Sequence, residues 1–279
     1  MLNILTFDVE EWDETFNLNK DKNNPLHGQT RVAIGVKKIL RLLKDKKVKA
    51  TFFVLGKVAE INADMVRMID EEGHEIATHG YGHMPIALLT PVEFKEDLLR
   101  SVKILKDITG KEVLGYRAPG YSITTETRWA IEIIKGCGLQ YDSSIYPVSL
   151  RLFTRGGISG YPQKPFVIQT GLVEFPLATI SVFGLKLPIA TTTYFRLFPY
   201  FVTKWAINML NKGRMTANIN LHSWEFDPEQ PKVKLPFPQN IKHYCNLSQT
   251  EGRLKRLIGD FKFISCKEAL LQRDAFNLG

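Results

Sequence analysis

The stretch RVAIGVKKILRLLKDKKVKATFFVLG, residues 31–56, decides the fold class. Its first part places Val32, Ile34, Val36, Ile39, Leu40 and Leu43 at helical spacing, which predicts an amphipathic helix over 31–46. Its second part, KATFFVLG, reads as a strand that ends at Gly56. The same alternation continues on both sides. Before it, LNILTF (2–7) is a short run of β-formers, followed by the turn-rich loop NKDKNNPLHGQT (19–30). After it come a helix from Asn62 or Ala63 to about Glu72, closed by Gly73, and the strand HEIATHG (74–80). A helix over 90–109 has Pro91 in its first turn and Gly110 as its stop. VLGYRAP (113–119), a helix over 125–137 and the strand LQYDSSIY (139–146) follow. Strict alternation of strand and helix argues an α/β fold with a parallel sheet or barrel.

Residues 150–190 break the rhythm with several Gly and Pro among short apolar runs, and read as a β-rich insertion. TYFRLFPYFVTKWAINMLN (193–211) reads as one amphipathic aromatic helix, and ANINLHSWEFD (217–227) as a strand with a functional end. A helix over 250–257 and the strand FKFIS (261–265) close the chain. With no internal repeat and no composition shift, residues 1–279 are expected to form a single domain.

The net charge is +8, from 37 basic against 29 acidic residues. A basic surface suits phosphate-bearing partners, but no nucleic-acid motif accompanies it, so no nucleic acid is expected. Three cysteines without a CxxC give neither a disulfide framework nor a thiolate metal site. The N-terminus lacks the pattern of a secretory signal, and no run approaches the roughly 20 apolar residues of a membrane span. The expectation is a cytoplasmic protein. A peripheral contact at the inner membrane face, through Tyr194–Trp205, is weighed against a packed helix, and the packed helix is preferred.

Chemistry collects where the strands end. The first strand delivers Asp8 and Glu10, the third His79 and His83, and later ones Arg117, Asp142 and His222. In parallel α/β folds that face carries the ligand site. Asp8 and Glu10 alternate, so both can point the same way. His79 and His83 are four apart and can reach one ion. Glu11, Asp13 and Glu14 read as solvated acids, His74 as structural, and His27 and His243 as surface residues.

These pieces resemble the polysaccharide deacetylase family, also called carbohydrate esterase family four or the NodB-homology domain. The ordered motifs are TFDVE (6–10), THGYGH (78–83), RAPGY (117–121), YDSS (141–144) and LH (221–222). TYFRLFPY, LHSWEFDPEQP and KHYCNL further resemble the subgroup found with bacterial exopolysaccharide gene clusters. The resemblance implies a distorted (β/α) barrel, commonly seven-stranded, with residues 191–279 as a C-terminal part of the same barrel. It implies one divalent metal ion, typically Zn2+, on Glu10, His79 and His83. Asp8 would be the base, Arg117 would steer it, Asp142 would support the Arg117 network, and His222 would be the general acid. A backbone N–H near Tyr121 would hold the oxyanion. The family's familiar first motif is TFDDG; here the second carboxylate stands one place later and is the longer Glu10. The activity implied is removal of acetyl groups from N-acetylated amino sugars in surface or exopolysaccharide biosynthesis, on a nucleotide- or lipid-linked sugar or a glycan. The rival readings are a hydrolase of non-sugar amides or cyclic imides on the same fold, and an inactive glycan-binding module.

Overall fold

A computed structural model of the chain describes residues 1–14, 30–149, 158, 160–189 and 191–276. Seven parallel strands form a curled half-barrel. They are β1 (Leu2–Val9), β2 (Thr51–Val54), β3 (Glu75–Thr78), β4 (Gly115–Tyr116), β5 (Tyr141–Asp142), β7 (Val173–Glu174) and β10 (Asn218–His222). Their spatial order is β10-β1-β2-β3-β4-β5-β7. An antiparallel β6 (Phe166–Val167) edges β7, and β11 (Lys262–Ile264) pairs with the start of β1. The gap between β7 and β10 is bridged by two bonds rather than a ladder: Asn218 Nδ2 donates to Phe175 O at 2.8 Å, and Ala178 N donates to Asn218 O at 3.0 Å.

Side-chain parity along β1 sets the two faces. Leu5, Phe7 and Val9 join the large apolar core under the helices, with Val36, Ile39 and Leu43 of α1 (Val32–Lys46). Thr6 and Asp8 point the other way, and β10 repeats the pattern, with Ile219 and Leu221 in that core and Asn218 and Asn220 opposite. The opposite face is the barrel interior. Ile4, Phe53, Ala77 and Tyr141 seal one end of it, which leaves its polar groups together at the strand C-termini.

The expected helices are present as α3 (Ala63–Glu71), α4 (Pro91–Thr109), α5 (Trp129–Gly136) and α9 (Thr250–Asp260). α4 opens on a capping box, Thr90 with Glu93, and closes on Gly110 at φ 68°. Three readings are corrected. Residues 150–190 are not simply an insertion, because β7 lies in the main sheet beside β5; the separate part is the hairpin of β8 (Thr179–Val182) and β9 (Leu185–Pro188). The helix expected over 193–211 is two, α6 (Thr192–Leu197) and α7 (Tyr200–Lys212). Phe198 is extended at ψ 147° because the ring of Pro199 excludes the helical region for the residue before it. α7 packs through Thr203, Ala206, Ile207 and Leu210, while Phe201 and Trp205 stay exposed. Last, His243 is no surface residue: it is fully buried in α8 (Gln239–Tyr244), stacked on Trp224 with centroids 4.4 Å apart and bonded to Gln230 at 2.9 Å. His27 lies outside the described residues. No helix among the described residues is long and apolar enough to cross a membrane.

Candidate metal and hydrolytic site

Asp8 and His222 are register partners at the ends of β1 and β10, so the sheet itself sets carboxylate beside imidazole. Glu10, two residues on, keeps the inward parity. Ser223 pins its backbone, Oγ donating to Glu10 O at 3.1 Å. The Trp224 indole N–H donates to Glu10 Oε1 at 3.1 Å, which leaves Oε2 toward the histidines.

His79 follows β3. Its Nδ1 lies 2.8 Å from Arg117 O. A carbonyl only accepts, so Nδ1 carries the hydrogen and Nε2, 3.8 Å from Glu10 Oε2, is the nitrogen whose lone pair can ligate an ion. His83 comes back to the same carboxylate through a tight loop, its Nε2 2.8 Å from Glu10 Oε2. That return needs left-handed backbone at Gly80 (φ 76°) and at His83 itself (φ 56°). The Asp97 carboxylate on α4 clamps the loop, accepting from Tyr81 N at 2.7 Å and Gly82 N at 3.0 Å. One ligand atom from each of Glu10, His79 and His83 lies within 4.8 Å of the others.

Arg117 is fully buried with its Cζ 4.1 Å from the Phe53 ring centroid. Nη1 donates to Asp8 Oδ1 (2.9 Å), Thr6 Oγ1 (2.8 Å) and Asn220 Oδ1 (2.7 Å). Nε and Nη2 donate to Ser143 O and Oγ, at 2.9 and 2.7 Å. Asn220 Nδ2 in turn donates to Asp8 Oδ2 at 2.8 Å. Both oxygens of Asp8 are therefore oriented, and His222 Nε2 stands 3.5 Å from Oδ2.

Burial pushes the Asp8 carboxyl up, but Arg117, His79 and His222 together hold it below its ordinary range. Burial likewise opposes ionisation of Glu10, and His83, His222 and His79 outweigh it, so Glu10 is a carboxylate. Burial pushes the His79 pKa down, with Asp8 opposing and His83 aiding. For His222 burial works against the charge, but Glu10, Glu225 and Asp8 raise its pKa. Asp8, Glu10, His79 and Arg117 are almost wholly buried, whereas the His83 and His222 side chains are 15% and 12% exposed, so these two histidines are the parts of the site that solvent reaches.

Two placements depart from the sequence reading. Asp142 does not bond to Arg117; it accepts from Ser144 Oγ at 2.6 Å and is the register partner of Glu174, whose carboxyl burial and Asp142 push far up. Ser143, its neighbour, is what holds Arg117. The backbone N–H of Tyr121 is committed to Ala118 O at 3.0 Å inside a 3-10 turn, so it is not a free oxyanion donor here; the Tyr121 hydroxyl instead accepts from Asn220 Nδ2 at 2.6 Å. Sequence reasoning missed Asn220, Ser143 and Asp97. Period-two spacing from His222 pointed to Asn220; nothing in the sequence marked Asp97.

A polysaccharide deacetylase family model matches residues 30–141, and a domain of unknown function, DUF3473, matches residues 143–271. A peptidoglycan deacetylase of Helicobacter pylori is 31% identical over 156 residues, 51% of this chain and 52% of that protein. A peptidoglycan-N-acetylglucosamine deacetylase of Bacillus cereus is 36% identical over 96 residues, 34% of this chain and 35% of that protein. The chain thus spans about half or less of the length of these curated relatives. Among solved structures, a Mycobacterium smegmatis protein assigned as a polysaccharide deacetylase superposes with a TM-score of 0.68 at 20% identity, covering 100% of this chain and 91% of that one. Puue allantoinase superposes with a TM-score of 0.63 at 18% identity, covering 98% and 90%. Likeness at that identity speaks to the fold alone.

Proposed function

We propose that this chain, which belongs to the polysaccharide deacetylase family through the domain at residues 30–141, is a metal-dependent N-deacetylase of N-acetylated amino sugars. The observation that carries the reading is the convergence of Glu10, His79 and His83 within 4.8 Å beside the Asp8–His222 pair. A buried carboxylate with two imidazoles is a donor set that divalent zinc takes in hydrolytic sites, and here the His79 ring is fixed by Nδ1 on Arg117 O with Nε2 turned toward Glu10. Glu10, His79 and His83 would hold the ion. When bound, a zinc ion supplies polarisation of the acetyl carbonyl and acidification of a water.

The protein's own groups do the proton work. Asp8 takes the water proton, its carboxylate kept ionised and aimed by Arg117 and Asn220. The water oxygen bonds to the amide carbon, and the C–N bond then breaks. His222 gives its Nε2 proton to the departing sugar nitrogen, leaving acetate and a free amine. The acetamido group would enter at the partly exposed His83 and His222, with the sugar outside. The excess of basic residues suits a nucleotide- or lipid-linked sugar bearing phosphate, made ready for surface or exopolysaccharide assembly.

The test is metal content of the purified protein together with acetate release from UDP-N-acetyl sugars and N-acetylated glycan oligomers, with and without chelator. About one zinc per chain with chelator-sensitive release is the expected result. Metal with release only from a cyclic imide or other non-sugar amide would replace this reading with the amidohydrolase one.

A further inference from the structure

Beyond the groups already described, a buried chain of contacts runs from His222 away from the site. Glu225 lies three residues on, in the 3-10 turn Ser223–Phe226. Its Oε1 accepts from His222 N at 2.8 Å and lies 3.0 Å from His222 Nδ1. Its Oε2 accepts from Arg196 Nε of α6 at 2.5 Å. Arg196 and Glu225 are both fully buried. The other Arg196 donors are committed to carbonyls: Nη1 to His243 O (3.0 Å) and Cys245 O (2.6 Å), and Nη2 to Lys242 O (2.7 Å). Asp142 makes no bond to His222 among the described residues.

We propose that Glu225, anchored by Arg196, is the positioning residue of His222, fixing its ring so that Nε2 alone exchanges a proton with the substrate. This rests on the deacetylase reading for what His222 does, though not for how the ring is held. An ionised carboxylate only accepts, so Nδ1 carries hydrogen whether His222 is charged or neutral. Nε2 then faces the reacting groups, 3.5 Å from Asp8 Oδ2 and 3.6 Å from Glu10 Oε1. In the step, the Nε2–H bond breaks, a new N–H bond forms on the leaving nitrogen, and that nitrogen keeps the electrons of the broken C–N bond. His222 is left neutral with its hydrogen on Nδ1, and Glu225 takes no proton. The consequence is that residues 192–245, from the region matched by the domain of unknown function, complete the acid.

The test has two readouts on the zinc-loaded protein. The first is the 15N spectrum of histidine-labelled wild type, with His222→Gln to assign the signal; neutral His222 is expected as the Nδ1–H tautomer. The second is steady-state kinetics of Glu225→Ala and Glu225→Gln, on the N-acetylated sugar from which the wild type releases acetate. For Glu225→Ala, kcat is expected to fall about 10²-fold with KM within about 3-fold. For Glu225→Gln, whose amide oxygen can still accept from Nδ1, kcat should recover to within about tenfold of wild type. Neutral wild-type His222 carrying its hydrogen on Nε2 overturns the proposal even if no variant folds. So does a Glu225→Ala protein with wild-type kcat, or one that loses KM and kcat together. If no sugar releases acetate, the deacetylase reading falls while the tautomer result still decides how His222 is held.

Discussion

Asp8 and His222 face each other as register partners on adjacent parallel strands, with Nε2 3.5 Å from Oδ2. The proposed base and acid are thus separated by one interstrand spacing, and no loop movement is needed to bring them together. Asp8→Asn preserves the shape of the network, since the amide can still meet Arg117 and Asn220 in part, and removes the base. Turnover is expected to fall by about 10²–10⁴-fold while zinc stoichiometry stays at that of wild type. Wild-type turnover in this variant would remove Asp8 as the base.

Glu10, His79 and His83 are expected to behave differently from Asp8, because their loss removes donor atoms and not proton transfer. Glu10→Gln and His83→Ala should each weaken zinc binding by more than the roughly 10–100-fold typical of supporting groups, measured by competition with a chromophoric chelator. Zinc should raise the melting temperature of the wild type and not that of these variants. An unchanged zinc affinity in both would place the ion elsewhere.

Much of this site was readable because period-two alternation survives the strand ends. Asp8 and Glu10 keep inward parity, and Asn220 and His222 do the same on the neighbouring strand. The sheet class was readable from the helix–strand rhythm of residues 31–83. What was hidden depends on distant chain segments. β4, β5 and β7 are two residues each, too short for any periodic signal, so β7 looked like part of an insertion. Asp97 acts from the middle of an ordinary amphipathic helix. Arg196 sits in an aromatic run whose apolar neighbours suggested packing, and only its burial against Glu225 shows otherwise.

Gly35 ties the outer helix layer to the site. A Cβ built there would lie 1.8 Å from Ser223 O, and Ser223 is the residue that pins Glu10 and follows His222. Backbone on both sides leaves no flexible side chain to yield. Gly35→Ala is expected to cost about 1–3 kcal/mol of stability by overpacking, and to lower zinc affinity by displacing Glu10. Chemical denaturation and metal competition measure the two effects; wild-type values in both would show that the helix accommodates the methyl by shifting.

Asp142 and Glu174 are register partners with no exposure, and burial together with the neighbouring Asp142 charge pushes the Glu174 carboxyl far up. A shift in that direction favours the neutral carboxyl, whose place a neutral amide can take. Glu174→Gln should change stability by less than about 1 kcal/mol. Glu174→Ala, which strands Asp142 and the Ile145 N–H that Oε1 accepts, should cost about 3–5 kcal/mol. Equal losses in urea unfolding would mean that the Glu174 carboxyl is ionised.

His74 gives the fold a defined sensitivity to acid. Its ring packs 5.2 Å from that of Phe52, and Nδ1 accepts from Ala50 N at 3.3 Å, so the site wants a neutral ring. Burial first, and Lys49 second, push its pKa down to about 4, with Glu72 partly opposing. The unfolded chain binds this proton near the ordinary value of about 6.5. Between those values the unfolded state holds more protons, so stability is full above about pH 6.5 and falls as pH drops toward 4, by at most about 1.4 kcal/mol per pH unit. His74→Gln can keep an acceptor for Ala50 N without titrating. The stability difference between wild type and His74→Gln, measured by urea unfolding, should therefore shift against the wild type by about 1–2 kcal/mol from pH 7 to pH 5. A difference that stays constant over that range would mean that His74 titrates alike in the folded and unfolded chain.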